Sequence, residues 1–231
     1  MYNYSKELRG TSFMDKRFAG ILLAMVLLFT GFVLINGKKD ESKASDSKSK
    51  ASLLSNHVVG NKESKVTLIE YGDFQCPYCQ QYATTVDQVV EANKDKIQFQ
   101  FRNFPLISLH QNAFAASRAA EAAHLQGKFW EMYDTLYETS NWQVWSEAKA
   151  PTTFFDQYAK QLGLNEAKFK SDFSSDKVND TVTADLDEGN RLGITGTPSF
   201  YLNGKQVQIA NDPAAFQKVI DAELAKQAKK N

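Results

Sequence analysis

Val66-Thr67-Leu68-Ile69-Glu70-Tyr71-Gly72-Asp73-Phe74-Gln75-Cys76-Pro77-Tyr78-Cys79 is the stretch on which the fold turns. Its opening, Val66 to Tyr71, is a short, mostly apolar run that stops at Gly72, the pattern of a buried central strand. Two cysteines follow at once, three positions apart, and they are the only 2 in 231 residues. So close a pair closes no loop of useful size, and two cysteines make no disulfide framework. Their place where a strand feeds a helix points to chemistry instead. A cysteine in the first turn of a helix meets unpaired backbone N–H groups and the positive end of the macrodipole, which lower its pKa from about 8.5. As a thiolate, Cys76 attacks a disulfide; Cys79, one turn along, is placed to displace the mixed disulfide that results.

Three other uses of the pair compete. Zinc needs four ligands, and only two of His57, His110 and His124 could complete the set, without zinc-finger spacing. Covalent haem attachment needs histidine after the second cysteine, where Gln80 stands. An inert structural pair is the bland alternative, and the position directly after a buried strand weighs against it. The reading is a redox-active pair with no metal and no bound cofactor.

Outward from this stretch, Pro77 to about Ala92 suits a helix, with Tyr82, Val86, Val89 and Val90 at helical spacing. Lys96 to Phe104 then alternates as a strand does. A long helical section follows, with runs at about Gln111–Leu125, Lys128–Glu138, Thr153–Leu162 and Val178–Leu192, punctuated by Gly127, Pro151 and Gly163. The stripe Phe129, Tyr133, Leu136 and Tyr137 reads as a face packed on the core rather than a ligand groove. After Gly196, strands at Ser199–Leu202 and Gln206–Ala210 flank Asn203-Gly204, a strong hairpin signal. Asp212 and Pro213 suit the cap and first position of a last helix that runs to about Lys226. The expectation is an α/β domain: strand–helix–strand, a helical insertion at about 107–192, then hairpin and helix.

At the other end, residues 18–37 are an uncharged run of the length a helix needs to cross a bilayer. They read as one uncleaved membrane anchor, since the run is long for a signal peptide and no clear small-x-small site follows. Residues 1–17 are then a short cytoplasmic segment, and 38–55, rich in serine and lysine, a flexible linker before a domain at 56–231. Basic residues flank the run on both sides, so charge alone leaves the orientation open. A short charged leader and the limited use of an anchored redox domain in the cytoplasm favour an extracytoplasmic domain, in an oxidising space. Lys plus Arg and Asp plus Glu each total 27, so no net field points to nucleic acid.

The segment from Val66 to Cys79, with proline after the first cysteine, resembles the active-site strand and helix of DsbA-like thiol–disulfide oxidoreductases, in the membrane-tethered branch of the thioredoxin fold. FAASRAAEAAHLQGKFWEMYDTLYE (residues 114–138) resembles that family's helical insertion, and residues 193–200, GITGTPSF, its second active-site loop. The resemblance implies a thioredoxin-like fold from roughly Asn56 onward, with catalytic Cys76 and Cys79 in the motif completed by Pro77 and Tyr78. Pro198 would be a cis-proline facing the disulfide, and Thr197 would offer backbone groups to a substrate chain. Glu70 matches the family's buried acid, which burial would shift upward so that it exchanges a proton with Cys79.

The same resemblance implies an oxidase that passes its disulfide to unfolded, newly exported proteins and is recharged by a quinone-linked membrane partner. No second dimerising region is evident, so a monomer is expected. Tyr78 stands where strongly oxidising members carry histidine and lends no positive charge, which leaves a lower potential open. A reductase or isomerase, or a peptide-binding chaperone with little redox turnover, are the alternatives.

Overall fold

The computed structural model describes residues 53–229. The expected cytoplasmic segment (1–17), the membrane anchor (18–37) and most of the linker (38–52) lie outside the described residues. Among those described, no helix is long and apolar enough to cross a membrane.

The central strand of the sequence reading is β2, Thr67–Gly72. It pairs in parallel with β3, Gln98–Asn103, through the helix α1, Pro77–Asn93, that joins them. The other flank of β2 pairs antiparallel with β4, Ser199–Leu202, and β4 with β5, Lys205–Val207. A further strand, β1, His57–Gly60, runs antiparallel along β3 and completes the order β1-β3-β2-β4-β5. Sequence reading ended the linker beside these four residues and missed the strand: HVVG is too short to show alternation, and its partner β3 is some forty positions on.

The hairpin turn forms as the sequence predicts. Asn203 and Gly204 both take positive φ, 47° and 75°, the pair of left-handed residues that a tight two-residue turn between twisted strands requires. The second strand of the hairpin is shorter than expected, ending at Val207 rather than Ala210.

Between β3 and β4 lie α2, Ala113–His124; α3, Phe129–Tyr137; α4, Thr139–Trp145; α5, Thr152–Gln161; α6, Glu166–Phe173; and α7, Asp176–Arg191. Two of these, α4 and α6, were absent from the sequence reading. The cap of α6 was nonetheless visible: the Asn165 side chain accepts from the Lys168 N–H. Helix α8, Pro213–Ala228, closes the chain, with the Asp212 side chain accepting from the Ala214 N–H.

Three clusters of buried side chains pack on the sheet, the smallest being Tyr71, Phe104, Ile194 and Tyr201. In one of the two larger ones Val86 and Val89 of α1 and Phe216 and Ile220 of α8 pack against Leu68, Phe99, Phe200 and Leu202. The other core joins Phe74, Cys79 and Phe101 to the insertion through Met132, Tyr133, Leu136, Trp145 and Phe155. The expected core stripe on α3 is buried throughout: Phe129, Tyr133, Leu136 and Tyr137 are at most 4% exposed. Ser55, assigned by sequence to the linker, is buried as well. Its N–H and hydroxyl donate to the two oxygens of the buried Asp185 carboxylate at 3.0 and 2.6 Å, so ordered structure begins before residue 56.

Gly72 ends β2 where a side chain cannot fit. A Cβ there would stand 2.3 Å from Phe101 Cε2 and 3.1 Å from Glu70 Oε1. Gly72→Ala is therefore expected to overpack this point and cost about 1–3 kcal/mol, read as a lower urea midpoint at unchanged slope. A midpoint equal to the parent's would show that the strand end gives way freely.

Candidate active site

The chain leaves β2 at Gly72 and enters α1 at Pro77, and the intervening turn is held by one carboxylate. Asp73 is fully buried. Its Oδ1 accepts from the Gln75 N–H at 2.7 Å, and its Oδ2 accepts from the Leu106 N–H at 2.8 Å, with His110 Nδ1 2.6 Å away. Gln75 is tied in turn to the insertion: its Oε1 accepts from the Asn112 N–H at 2.6 Å and its Nε2 donates to the Ser146 carbonyl at 2.6 Å. Trp142 Nε1 donates to the Phe74 carbonyl at 2.8 Å. The helical insertion thus clamps the loop that presents the cysteines.

Cys76 occupies the N-cap of α1 and Pro77 its first turn, where proline's missing N–H costs nothing. No side chain caps the helix and no acid lies in its first turn, so the free N–H groups face the sulfur. Both cysteines are thiols, Cys76 4% exposed and Cys79 fully buried. A hydrogen bond from the Cys79 thiol lowers the Cys76 pKa most; against desolvation, Thr197 and the backbone N–H groups of Cys79 and Tyr78 add to this, down to about 6. The sequence argument rested on the helix mouth alone, and the partner thiol contributes more. Burial, then the neighbouring Cys76, pushes the Cys79 thiol well above its ordinary range, although the Asp73 N–H points at its sulfur from 3.5 Å.

Thr197 and Pro198 lie against Cys76. The Thr197–Pro198 peptide is cis, and the Thr197 carbonyl lies 3.4 Å from Cys76 Sγ. Beside them a cavity of about 180 Å³ is lined by Tyr78, Tyr82, Pro198, Phe200, Val207 and Ile209. Tyr78 itself is 63% exposed, at the rim of the site.

Glu70 sits on β2, 1% exposed, beneath the cysteines. Burial first, then the charges of Asp87 and Cys76, raise its pKa from 4.5 to about 8. At neutral pH its carboxyl is largely protonated. Glu70 Oε2 and the hydroxyls of Tyr133 and Tyr137 have no hydrogen-bond partner in the protein.

Sequence reasoning missed Asp73, Gln75, His110 and Asn112. An acid directly after a strand end was the visible signal for Asp73; His110 and Asn112 reach the loop only through tertiary folding. His57 on β1 and His124 at the end of α2, weighed as metal ligands, lie together: His57 Nε2 is 2.7 Å from Glu121 Oε1 and its ring stacks on Phe129. Among the described residues no group of three or more His, Cys, Asp or Glu side chains could hold a metal ion.

The sequence pattern of the family described as Thioredoxin matches residues 52–222. The probable disulfide bond formation protein D of Bacillus anthracis is 30% identical over 217 residues, covering 90% of this chain and 95% of that protein. The chain belongs to the thioredoxin family, in its DsbA-like branch. Among solved structures, alpha-DsbA1 of Wolbachia pipientis superposes with a TM-score of 0.64 at 21% identity, over 78% of this chain and 98% of that one. The Na(+)/H(+) antiporter NhaA 1 of Mycolicibacterium gilvum is 34% identical over 168 residues, 72% of this chain. The chain spans 26% of the length of that antiporter, so the likeness is to a domain-sized part of it.

Proposed function

We propose that this family member is an extracytoplasmic dithiol oxidase, anchored by residues 18–37, that introduces disulfides into exported proteins through Cys76 and Cys79. The observation that carries the reading is the split between the two sulfurs: Cys76 ionises near pH 6 at a helix mouth, while Cys79 stays protonated well above neutrality. A substrate thiolate attacks Cys76 of the oxidised pair, the S–S bond breaks, and its electrons leave on Cys79, which takes up a proton. A second substrate thiolate then attacks the substrate sulfur and expels Cys76. The stable Cys76 thiolate makes it a good leaving group, which drives the transfer toward the substrate.

Substrate selection in this reading is loose. The Thr197 backbone lies against Cys76, and the neighbouring cavity, whose walls mix polar Ser199 and Gln208 with Phe200, Val207 and Ile209, has room for side chains of an extended segment. Exposed Ile107 and Leu109 sit in the loop tied to Asp73 and add apolar surface suited to unfolded chains. Recharging falls to a quinone-linked membrane partner, which an anchored enzyme would meet in two dimensions.

The reduction potential tests this directly. Equilibration with glutathione buffers is expected to place the pair well above the thioredoxin value of about −270 mV. The low Cys76 pKa favours the dithiol state and so a more oxidising couple. A potential at the thioredoxin value would transfer the assignment to a reductase.

A further inference from the structure

The buried pair leaves one step without an obvious route. When Cys79 departs as a thiolate it needs a proton, and when the site is recharged that proton must leave again. Cys79 is fully buried and Glu70, its partner for this transfer, is 1% exposed. In the mixed disulfide the substrate covers the Cys76 face. Glu70 must then exchange with solvent on another side.

A cavity of about 140 Å³ opens between α1 and α3, lined by Gln80, Ala83, Asp87, Tyr133, Asp134 and Tyr137. Residues 80, 83 and 87 share one face of α1 at helical spacing, and Cys79 is on the first turn of that helix. The volume has room for several waters. Tyr133 and Tyr137 line it, are 1% and 4% exposed, and carry hydroxyls without a partner. An unsatisfied buried hydroxyl is destabilising, and phenylalanine would pack as well without that penalty. Both rings lie within electrostatic range of Glu70 and Cys79, and Tyr133 of Asp87 as well. Asp87 and Asp134 are exposed at the mouth.

Resting on the redox reading above, we propose that this cavity is the port through which Glu70 trades its proton with solvent, by way of the Tyr133 and Tyr137 hydroxyls and the Asp87 carboxylate. In each reduction two substrate thiols become one disulfide and the Cys76–Cys79 bond becomes two sulfhydryl groups. The proton on Cys79 comes from the Glu70 carboxyl, and Glu70 is refilled from the cavity. Recharging runs the same path outward, with a disulfide of the recharging partner taking the two electrons. Desolvation and Asp134 push the Asp87 carboxyl up to about 6, where it binds and releases protons readily near neutrality. The titratable groups facing Glu70 are Cys76, Cys79 and Asp87 from α1 and Tyr133 and Tyr137 from α3; Asp73 of the loop faces Tyr137. Tyr133, Tyr137 and Asp87 act through Glu70 and are positioning residues.

The test follows reduction of the oxidised full chain by glutathione in stopped flow, from pH 5 to 9, in H2O and D2O. Tyr133→Phe and Tyr137→Phe, singly and together, remove only the hydroxyls, and Asp87→Asn changes a surface side chain. The double tyrosine variant is expected to exchange about three- to tenfold more slowly with an altered solvent isotope effect, while its thermal midpoint holds or rises. Asp87→Asn is expected to slow exchange and to move the alkaline limb of the rate profile to lower pH, because it removes a charge that raises the Glu70 pKa. Tyrosine variants that keep the parent's rate, profile and isotope effect would overturn the port. Should the unaltered chain fail to exchange with glutathione at all, the redox reading falls and the port with it.

Discussion

Cys76→Ser is expected to abolish disulfide exchange, lowering the rate of peptide dithiol oxidation by at least about a thousandfold while leaving the fold in place. The reaction requires a sulfur that can both carry a disulfide and leave as an anion. Serine has neither property, yet it matches the volume of a side chain that is only 4% exposed. Cys79→Ser should behave differently. It leaves Cys76 able to attack a disulfide but removes the sulfur that would resolve the adduct, so mixed disulfides with thiol-containing proteins should accumulate on non-reducing gels. A chaperone would keep its suppression of aggregation in the Cys76→Ser protein and lose little in either variant. Residual exchange in Cys76→Ser at a tenth of the parent rate would remove Cys76 from the role of nucleophile.

Glu70→Gln should give the largest change in stability, and one with a definite pH signature. Burial raises the folded carboxyl pKa from 4.5 to about 8, so the unfolded chain releases this proton more easily than the folded one. The contribution of Glu70 to stability is therefore complete below pH 4.5 and is lost as pH rises through 8. Glutamine has nearly the same shape and does not titrate. In the reduced protein the variant should match the parent near pH 4.5 and exceed it by up to ~4 kcal/mol at pH 8, at about 1.36 kcal/mol per unit. Urea unfolding of both proteins across that range measures the difference, and the buried acids they share, Asp73, Glu121 and Asp185, cancel in the comparison. Parallel curves would mean that Glu70 ionises as freely in the folded protein as in the unfolded one. The same variant should slow resolution by Cys79, since the proton acceptor beneath it is gone.

Most of the frame was open to a reader of the chain. The run Val66 to Tyr71, the cysteine spacing, the Asn203-Gly204 turn and the Asp212-Pro213 start all carry local instructions, and each sets structure within a few residues of itself. Strand β1 and helices α4 and α6 were not legible in the same way. Their sequences are short, and their burial is granted by partners distant in the chain, as His57 is by Glu121 and Phe129. The candidate site divides along the same line. Cys76, Cys79, Glu70, Thr197 and Pro198 were nameable from motif and resemblance, whereas His110 and Asn112 became part of the loop's support only when the insertion folded over it.

By itself the sequence determined which sulfurs are present, how far apart they stand and that a strand delivers them to a helix start, because those are properties of a few adjacent residues. Tertiary structure alone decided how unequal the two sulfurs are. That inequality comes from burial, from one thiol bonding the other and from a carboxyl held out of water beneath them, and desolvation depends on every element that packs around a group rather than on its neighbours in the chain.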